Sequence, residues 1–201
     1  MARIGVLALQ GGFAAHARCL AALGHSCVEV RRPEQLVELE GLVLPGGEST
    51  TQLKLIESAG LGPALRERVA AGCPVLATCA GLILAARQVE SPPQSSFGWL
   101  ELTVRRNAHG RQLDSFEGVS DHGLPLVFIR APRIVAVGRV VEVLDTLADE
   151  PILVRQGRVV GACFHPELSA SLAVHALAFG GAAGRQARGV GPALRLAGEA
   201  G

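Results

Sequence analysis

Pro74-Val75-Leu76-Ala77-Thr78-Cys79-Ala80-Gly81-Leu82 carries an apolar run straight into a thiol at a corner of small residues. A strand of four or five residues that turns at once into a helix leaves the corner side chain projecting above the edge of a sheet. Ala80 and Gly81 are small enough to permit that corner. The helix beginning there aims unpaired backbone N–H groups and the positive end of its dipole at the sulfur, which favours the thiolate and offers donors to a nearby oxyanion.

Outward from this corner, strand patterns at 4–9, 26–30, 41–44 and 74–77 alternate with helical patterns at about 14–23, 50–58 and 63–71. That alternation predicts a parallel sheet covered on both faces. Gly24, Gly60 and Gly72 each follow a run of helix formers, where a left-handed residue ends a helix. From about residue 99 the pattern changes. Residues 100–105, 126–129, 134–143, 152–155 and 158–164 read as strands, with Gln156-Gly157 as the turn between the last two, so an antiparallel addition makes the sheet mixed. Residues 88–98 read as a polar, Pro-rich loop, and 170–179 resume a helical pattern. Residues 1–180 form one domain in this reading. The Gly, Ala and Arg residues of 181–201 have little to bury and are expected to be a flexible tail.

Composition narrows the function. With 49% hydrophobic residues, 25 glycines and 3% aromatics, the chain reads as an aliphatic α/β protein. Nineteen basic and 18 acidic residues leave a net charge of +1, too little field to attract nucleic acid or an anionic membrane. Five cysteines, odd in number, in apolar contexts and without a secretory leader, predict a reduced cytoplasmic protein. The opening apolar run is too short to span a membrane.

Two further segments carry chemistry. Leu44-Pro45-Gly46-Gly47-Glu48-Ser49-Thr50-Thr51 lies between a strand and a helix, where its glycines can bring backbone N–H groups to an oxyanion. It competes with a phosphate cradle, which Glu48 opposes, and with a simple turn in which Ser49 or Thr50 caps the helix. Phe164-His165-Pro166-Glu167 puts an imidazole and a carboxylate two residues apart, on one side if the backbone is extended. Beside Cys79 they read as a general base and the carboxylate that orients it. Taken alone, the tripeptide reads most often as a turn at a strand end, with a metal site as the other competitor. The other histidines (16, 25, 109, 122 and 175) show no ligand spacing around it and read as surface or structural, so no metal is expected. Cys19, Cys27, Cys73 and Cys163 read as small buried hydrophobes.

Together, residues 5–11, 44–51, 78–84, 106–117, 127–132 and 164–168 resemble the class I glutamine amidotransferases, and within them the glutaminase subunits of pyridoxal 5′-phosphate synthases. The resemblance implies a three-layer flavodoxin-like α/β architecture, a mixed sheet with helices on both faces. It implies glutamine hydrolysis by Cys79 as nucleophile, His165 as proton carrier and Glu167 as its orienting partner. It further implies an oxyanion hole at Gly47 and Ala80, and glutamine contacts from Gly47, Glu48, Ser49, Arg106, Ile129 and Arg130. No cofactor is implied. The implied partner is a (β/α)₈-barrel synthase subunit that takes up the ammonia and whose docking switches the glutaminase on. Gln10, Asp114, Ser115, Phe116 and Glu117 are the candidate contacts. Ala77 stands where the family commonly has glycine, which requires a negative φ there. Two alternatives stay open: a glutaminase or other cysteine hydrolase serving a different reaction, and a catalytically silent scaffold subunit.

Overall fold

The apolar strands of the first half pair in one sheet, as their spacing predicts. The computed structural model describes residues 1–106 and 115–180. Strands β1 (Arg3–Leu7), β2 (Ser26–Val30), β3 (Gly41–Leu44) and β4 (Val75–Thr78) run parallel, with helices α1 (Phe13–Ala22), α2 (Ser49–Ser58) and α3 (Leu61–Ala70) in the crossovers. A seven-stranded sheet results, in the order β10-β11-β12-β4-β3-β1-β2. Its last three members are β10 (Glu142–Leu147), β11 (Glu150–Gln156) and β12 (Val159–Ala162). β12 is parallel to β4, while β11 and β10 follow antiparallel, which is the mixed sheet expected. From β1 the chain first moves outward to β2 and then returns to β3 on the other side. Right-handed crossovers therefore place α1 on one face and α2 and α3 on the other.

The centre of the sheet is closed to water. Every residue of β3, β4 and β12 is buried, as a strand covered on both faces requires. Gly24, Gly60 and Gly72 take φ values of +81°, +65° and +84° at the helix ends, as the sequence indicates. Short helices α4 (Ala80–Ala85) and α5 (Ala173–Phe179) complete the helical layer, both packed against β4.

Beyond β4 the sequence pattern misleads in three places. Residues 86–90 form strand β5, parallel to β6 (Leu100–Arg105), although part of this segment reads as loop. Residues 115–119 form β7, half exposed and therefore weakly patterned, in a hairpin with β8 (Pro125–Ile129). The single strand expected over 134–143 is two strands in different sheets. β9 (Arg133–Val137) joins β6, and the chain then turns at Gly138, whose amide donates to Glu101 O (2.7 Å), before entering β10. An apolar run is blind to such a change of sheet. Residues 181–201, expected as a tail, lie outside the described residues. No helix among the described residues is long and apolar enough to cross a membrane.

Candidate active site

The corner at Cys79 is sharp and strained. Cys79 sits at φ +48°, ψ −104°, a conformation that costs a non-glycine residue free energy and needs its surroundings to hold it. Its amide donates to Ala162 O (2.9 Å) and its carbonyl accepts from Ile83 N (3.2 Å), which ties the corner to β12 and to α4. Gly81 lets α4 approach β3 closely: a Cβ there would lie 2.1 Å from Leu44 O. Ala77 is an ordinary strand residue of β4, absent from the positive-φ positions, so its methyl group is accommodated. Cys79 Sγ lies 3.8 Å from Ile129 O at the end of β8.

His165 and Glu167 reach the same corner by a route the sequence does not show. β12 ends at Ala162, and Pro166–Leu168 form a 3₁₀ turn capped by His165. The backbone is therefore not extended. The tight turn folds Glu167 back so that its Oε1 lies 2.8 Å from His165 Nδ1. His165 N donates to Val127 O (2.8 Å), fixing the turn to β8. Burial alone would lower the His165 pKa. Hydrogen bonds and charges of Cys79 and Glu167 outweigh it and raise the value to about 10, so the ring is an imidazolium at neutral pH. For Glu167, burial opposes ionisation, but the hydrogen bond from His165 and the charge of its ring hold the carboxyl below the usual range. Gly46 provides the space between these groups. A Cβ on it would lie 2.3 Å from His165 Cε1 and 3.3 Å from Cys79 Cβ.

The loop that ends at Gly47 is held from within. Gln52, fully buried, donates from Nε2 to the carbonyls of Gln10 (3.2 Å) and Pro45 (3.1 Å). Gln10 Oε1 in turn accepts from Glu48 N at 2.9 Å. Glu48, not Ser49 or Thr50, is the N-cap of α2, because its longer side chain reaches back to accept from Thr50 N (3.1 Å) and Thr51 N (2.7 Å). Burial works against ionisation of Glu48, yet the bonds from Thr51 and Thr50 depress its pKa. Arg106 Nη2 lies 3.2 Å from Glu48 Oε1 and 3.1 Å from Thr50 Oγ1. Ser49 is buried beside them. Ile129 and the exposed Arg130, at φ +44°, follow on the β8 side of the sulfur.

Of the candidate partner contacts, Ser115, Phe116 and Glu117 lie on β7, where Phe116 stacks on Phe128 with ring centroids 4.6 Å apart. Asp114 lies outside the described residues, as does His109. Among the described residues no cluster of three or more His, Cys, Asp or Glu is disposed to hold a metal ion. A cavity of about 340 Å³ lined by Leu39, Glu40, Arg68 and Arg158 opens at the opposite, amino-terminal ends of β3, β4 and β12, away from this chemistry. Cys19, Cys27, Cys73 and Cys163 are free thiols whose pKa values burial pushes up, that of Cys163 to about 12.

Three groups escape a reading of the sequence. Gln94, in the segment read as a plain loop, accepts from Ser49 Oγ (2.9 Å) and Thr50 Oγ1 (3.2 Å). Gln52 has no motif to mark it. His16 and His175, one of whose expected places was the surface, are fully buried behind Glu167. His16 shares its helix face with Cys19 and Leu20, three and four residues on, which is the available sign that it points inward. Burial lowers the pKa of His16 to about 4 and that of His175 to about 3. Both are thus neutral in the fold and free to protonate once unfolded, so the unfolded chain binds more protons below about pH 6.5, and stability falls as pH drops from there toward 4. From pH 7 to pH 5 a loss of about 2 kcal/mol per histidine is expected in urea unfolding. A flat profile over that range contradicts the buried neutral pair.

Comparison with known proteins places this geometry. Residues 6–179 match the family model described as SNO glutamine amidotransferase family. The pyridoxal 5′-phosphate synthase subunit PdxT of Koribacter versatilis is 53% identical over 180 residues, covering 87% of this chain and 93% of that protein. The protein of the same name from Corynebacterium jeikeium is 52% identical over 180 residues, covering 86% and 92%. A crystal structure titled glutamine amidotransferase superposes with a TM-score of 0.82 at 46% identity, over 87% of this chain and 95% of that one. PurLQS from Thermotoga maritima, at 16% identity and a TM-score of 0.62, shares the fold.

Proposed function

The chain belongs to the SNO glutamine amidotransferase family, and from that premise we propose that it is the glutaminase subunit of a pyridoxal 5′-phosphate synthase, releasing ammonia from L-glutamine at Cys79. The observation that carries this reading is the run of contacts from Cys79 through His165 to Glu167 at the carboxyl ends of β4 and β12, where ligands bind in open α/β sheets.

The Cys79 sulfur, its proton carried by His165, attacks the side-chain carboxamide carbon of glutamine. A C–S bond forms and the carbonyl electrons move to oxygen. Backbone N–H groups at Gly47 and Ala80 receive that oxyanion, an interaction worth about 3–4 kcal/mol of barrier per donor. The C–N bond then breaks as His165 gives its proton to the departing nitrogen, leaving ammonia and a glutamyl thioester. Neutral His165 next takes a proton from water, whose oxygen attacks the thioester and releases glutamate. Glu167 keeps the ring oriented and stabilises its charged form throughout. Removing that charge while keeping the oxygen, in Glu167→Gln, is expected to lower kcat by about 10²- to 10⁴-fold with little change in folding. Unchanged turnover rules out the assigned role.

Substrate choice rests on Glu48 and Arg106, which are paired with each other in the described structure. The ammonium and carboxylate of a free amino acid can replace that pairing, so each group keeps an opposite charge when glutamine enters. We assign Ser49, Ile129 and Arg130 to the same glutamine site. Free ammonia in neutral water becomes ammonium, which is no nucleophile, so a partner must receive it directly. We assign that role to a (β/α)₈-barrel synthase subunit, with Gln10 and residues 114–117 at the contact. Gln10 suits it because its side chain holds the amide of Glu48, next to Gly47, so a push on Gln10 reaches the oxyanion site. The test is glutamate release by the chain with and without a synthase barrel. Strong stimulation supports both activity and partnership. Activity indifferent to the barrel keeps the glutaminase and removes the partner, and inactivity in both favours a silent scaffold.

A further inference from the structure

The two buried histidines behind Glu167 take no part in the chemistry above. His16 lies on α1 and His175 on α5, and they meet beneath the end of β4 with His16 Nδ1 2.9 Å from His175 Nε2. His16 Nε2 faces Thr78 Oγ1 at 3.2 Å and Glu167 Oε2 at 3.3 Å. The approach of Nε2 to Oε2 is a close polar contact without hydrogen-bond alignment, so among the described residues Oε2 is left without a hydrogen-bond partner, as is His175 Nδ1.

These contacts decide where the hydrogens sit. One ring nitrogen of the His16–His175 pair must donate and the other accept. If His16 Nδ1 donated, its Nε2 would aim a lone pair at the Glu167 carboxylate, and His175 would carry a buried Nδ1–H with no acceptor. If His175 Nε2 donates, both faults vanish: His16 carries its hydrogen on Nε2, toward Glu167 and Thr78, and the atom left alone is a bare Nδ1. The low pKa values of both rings, set chiefly by burial, agree with a neutral pair. We propose that His16, locked in its Nε2–H tautomer by His175, is a positioning residue for the glutaminase reaction: its Nε2–H dipole, buried 3.3 Å from Oε2, attracts that side of the Glu167 carboxylate and so restrains the ring of His165. This rests on Cys79, His165 and Glu167 being the catalytic set.

The groups facing the pair come from every neighbouring element: Thr78 from β4, His165 and Glu167 from the 3₁₀ turn, and Cys19 from α1, whose Sγ lies 3.9 Å from Glu167 O. Arg18 acts on Cys19 from solvent. Glu167 is the one carboxylate among them. A carboxylate held on both oxygens has one orientation, whereas one held through Oε1 alone can turn about its terminal torsion.

The experiment compares His16→Leu with His16→Gln, and His175→Leu with His175→Gln, in the chain plus a synthase barrel, alongside the wild type. The glutamine variants keep an N–H donor near the original Nε2. Expected is a fall in kcat of about 10- to 100-fold for His16→Leu at nearly constant KM, a smaller fall for His175→Leu, and recovery of most of the loss in each glutamine variant. ¹⁵N imidazole spectra of the wild type should show His16 and His175 neutral at pH 6 and protonated at Nε2. Normal kcat in His16→Leu, or equal loss in His16→Gln with folding intact, overturns the proposal. So does a wild-type spectrum with His16 protonated at Nδ1. A wild type that makes no glutamate even with the barrel defeats the glutaminase reading instead, and the spectra then judge the hydrogen-bond arrangement by themselves.

Discussion

Cys79→Ala is expected to abolish glutamate release, by about 10⁴-fold or more, while the chain still folds and still meets its partner. The size follows from removing the atom that forms the covalent bond: the residual rate is then that of water attacking a bound amide. The fold should tolerate the change because Cys79 is buried at a corner whose backbone bonds, to Ala162 O and from Ile83 N, do not involve the sulfur. An alanine at φ +48° keeps the strain that cysteine already carries. Glutamate assays with thermal melts as control read both parts. Retained turnover would mean that the nucleophile is elsewhere.

Gly46→Ala is expected to lower kcat by about 10²-fold or more through a single methyl group. Its Cβ would stand 2.3 Å from His165 Cε1 and 2.9 Å from Nδ1, inside the distance real Cβ atoms adopt, so one of the two must move. His165 is tied through Nδ1 to Glu167 and through its amide to Val127 O, so a displaced ring loses its alignment between Glu167 and the sulfur. Overpacking should also remove about 1–3 kcal/mol of stability. Gly62→Ala is the matched control: it lies in α3 with nothing within 4 Å, so kcat should not change and stability should rise slightly. Equal effects in the two variants would mean that the space at Gly46 has no bearing on the reaction.

Where single elements follow one rule, the sequence was enough. The strands β3 and β4 are continuous apolar runs because both their faces are covered, and the corner at Cys79 was legible from a strand running into small residues. The break between β9 and β10 was not, because residues 134–143 stay apolar while the chain leaves one sheet for another. The pairing of His165 with Glu167 was foreseen from the wrong backbone: the two meet through a 3₁₀ turn, and the side chains' reach matters more than the extended geometry assumed. Glu48 reads as a binding carboxylate but also caps α2, a double duty that local sequence does not separate. His16 and His175 are 159 positions apart in the chain, and only the packing of α1 and α5 on β4 brings them behind the triad.

Acid-quenched mass spectrometry of the wild-type chain mixed with glutamine and a synthase barrel would capture the intermediate itself. Expected is one glutamyl group, lost on treatment with hydroxylamine, on the peptide that contains Cys79, and none on Cys19, Cys27, Cys73 or Cys163. Glutamate formation without any such adduct, or an adduct on another cysteine, would contradict covalent catalysis at the corner after β4.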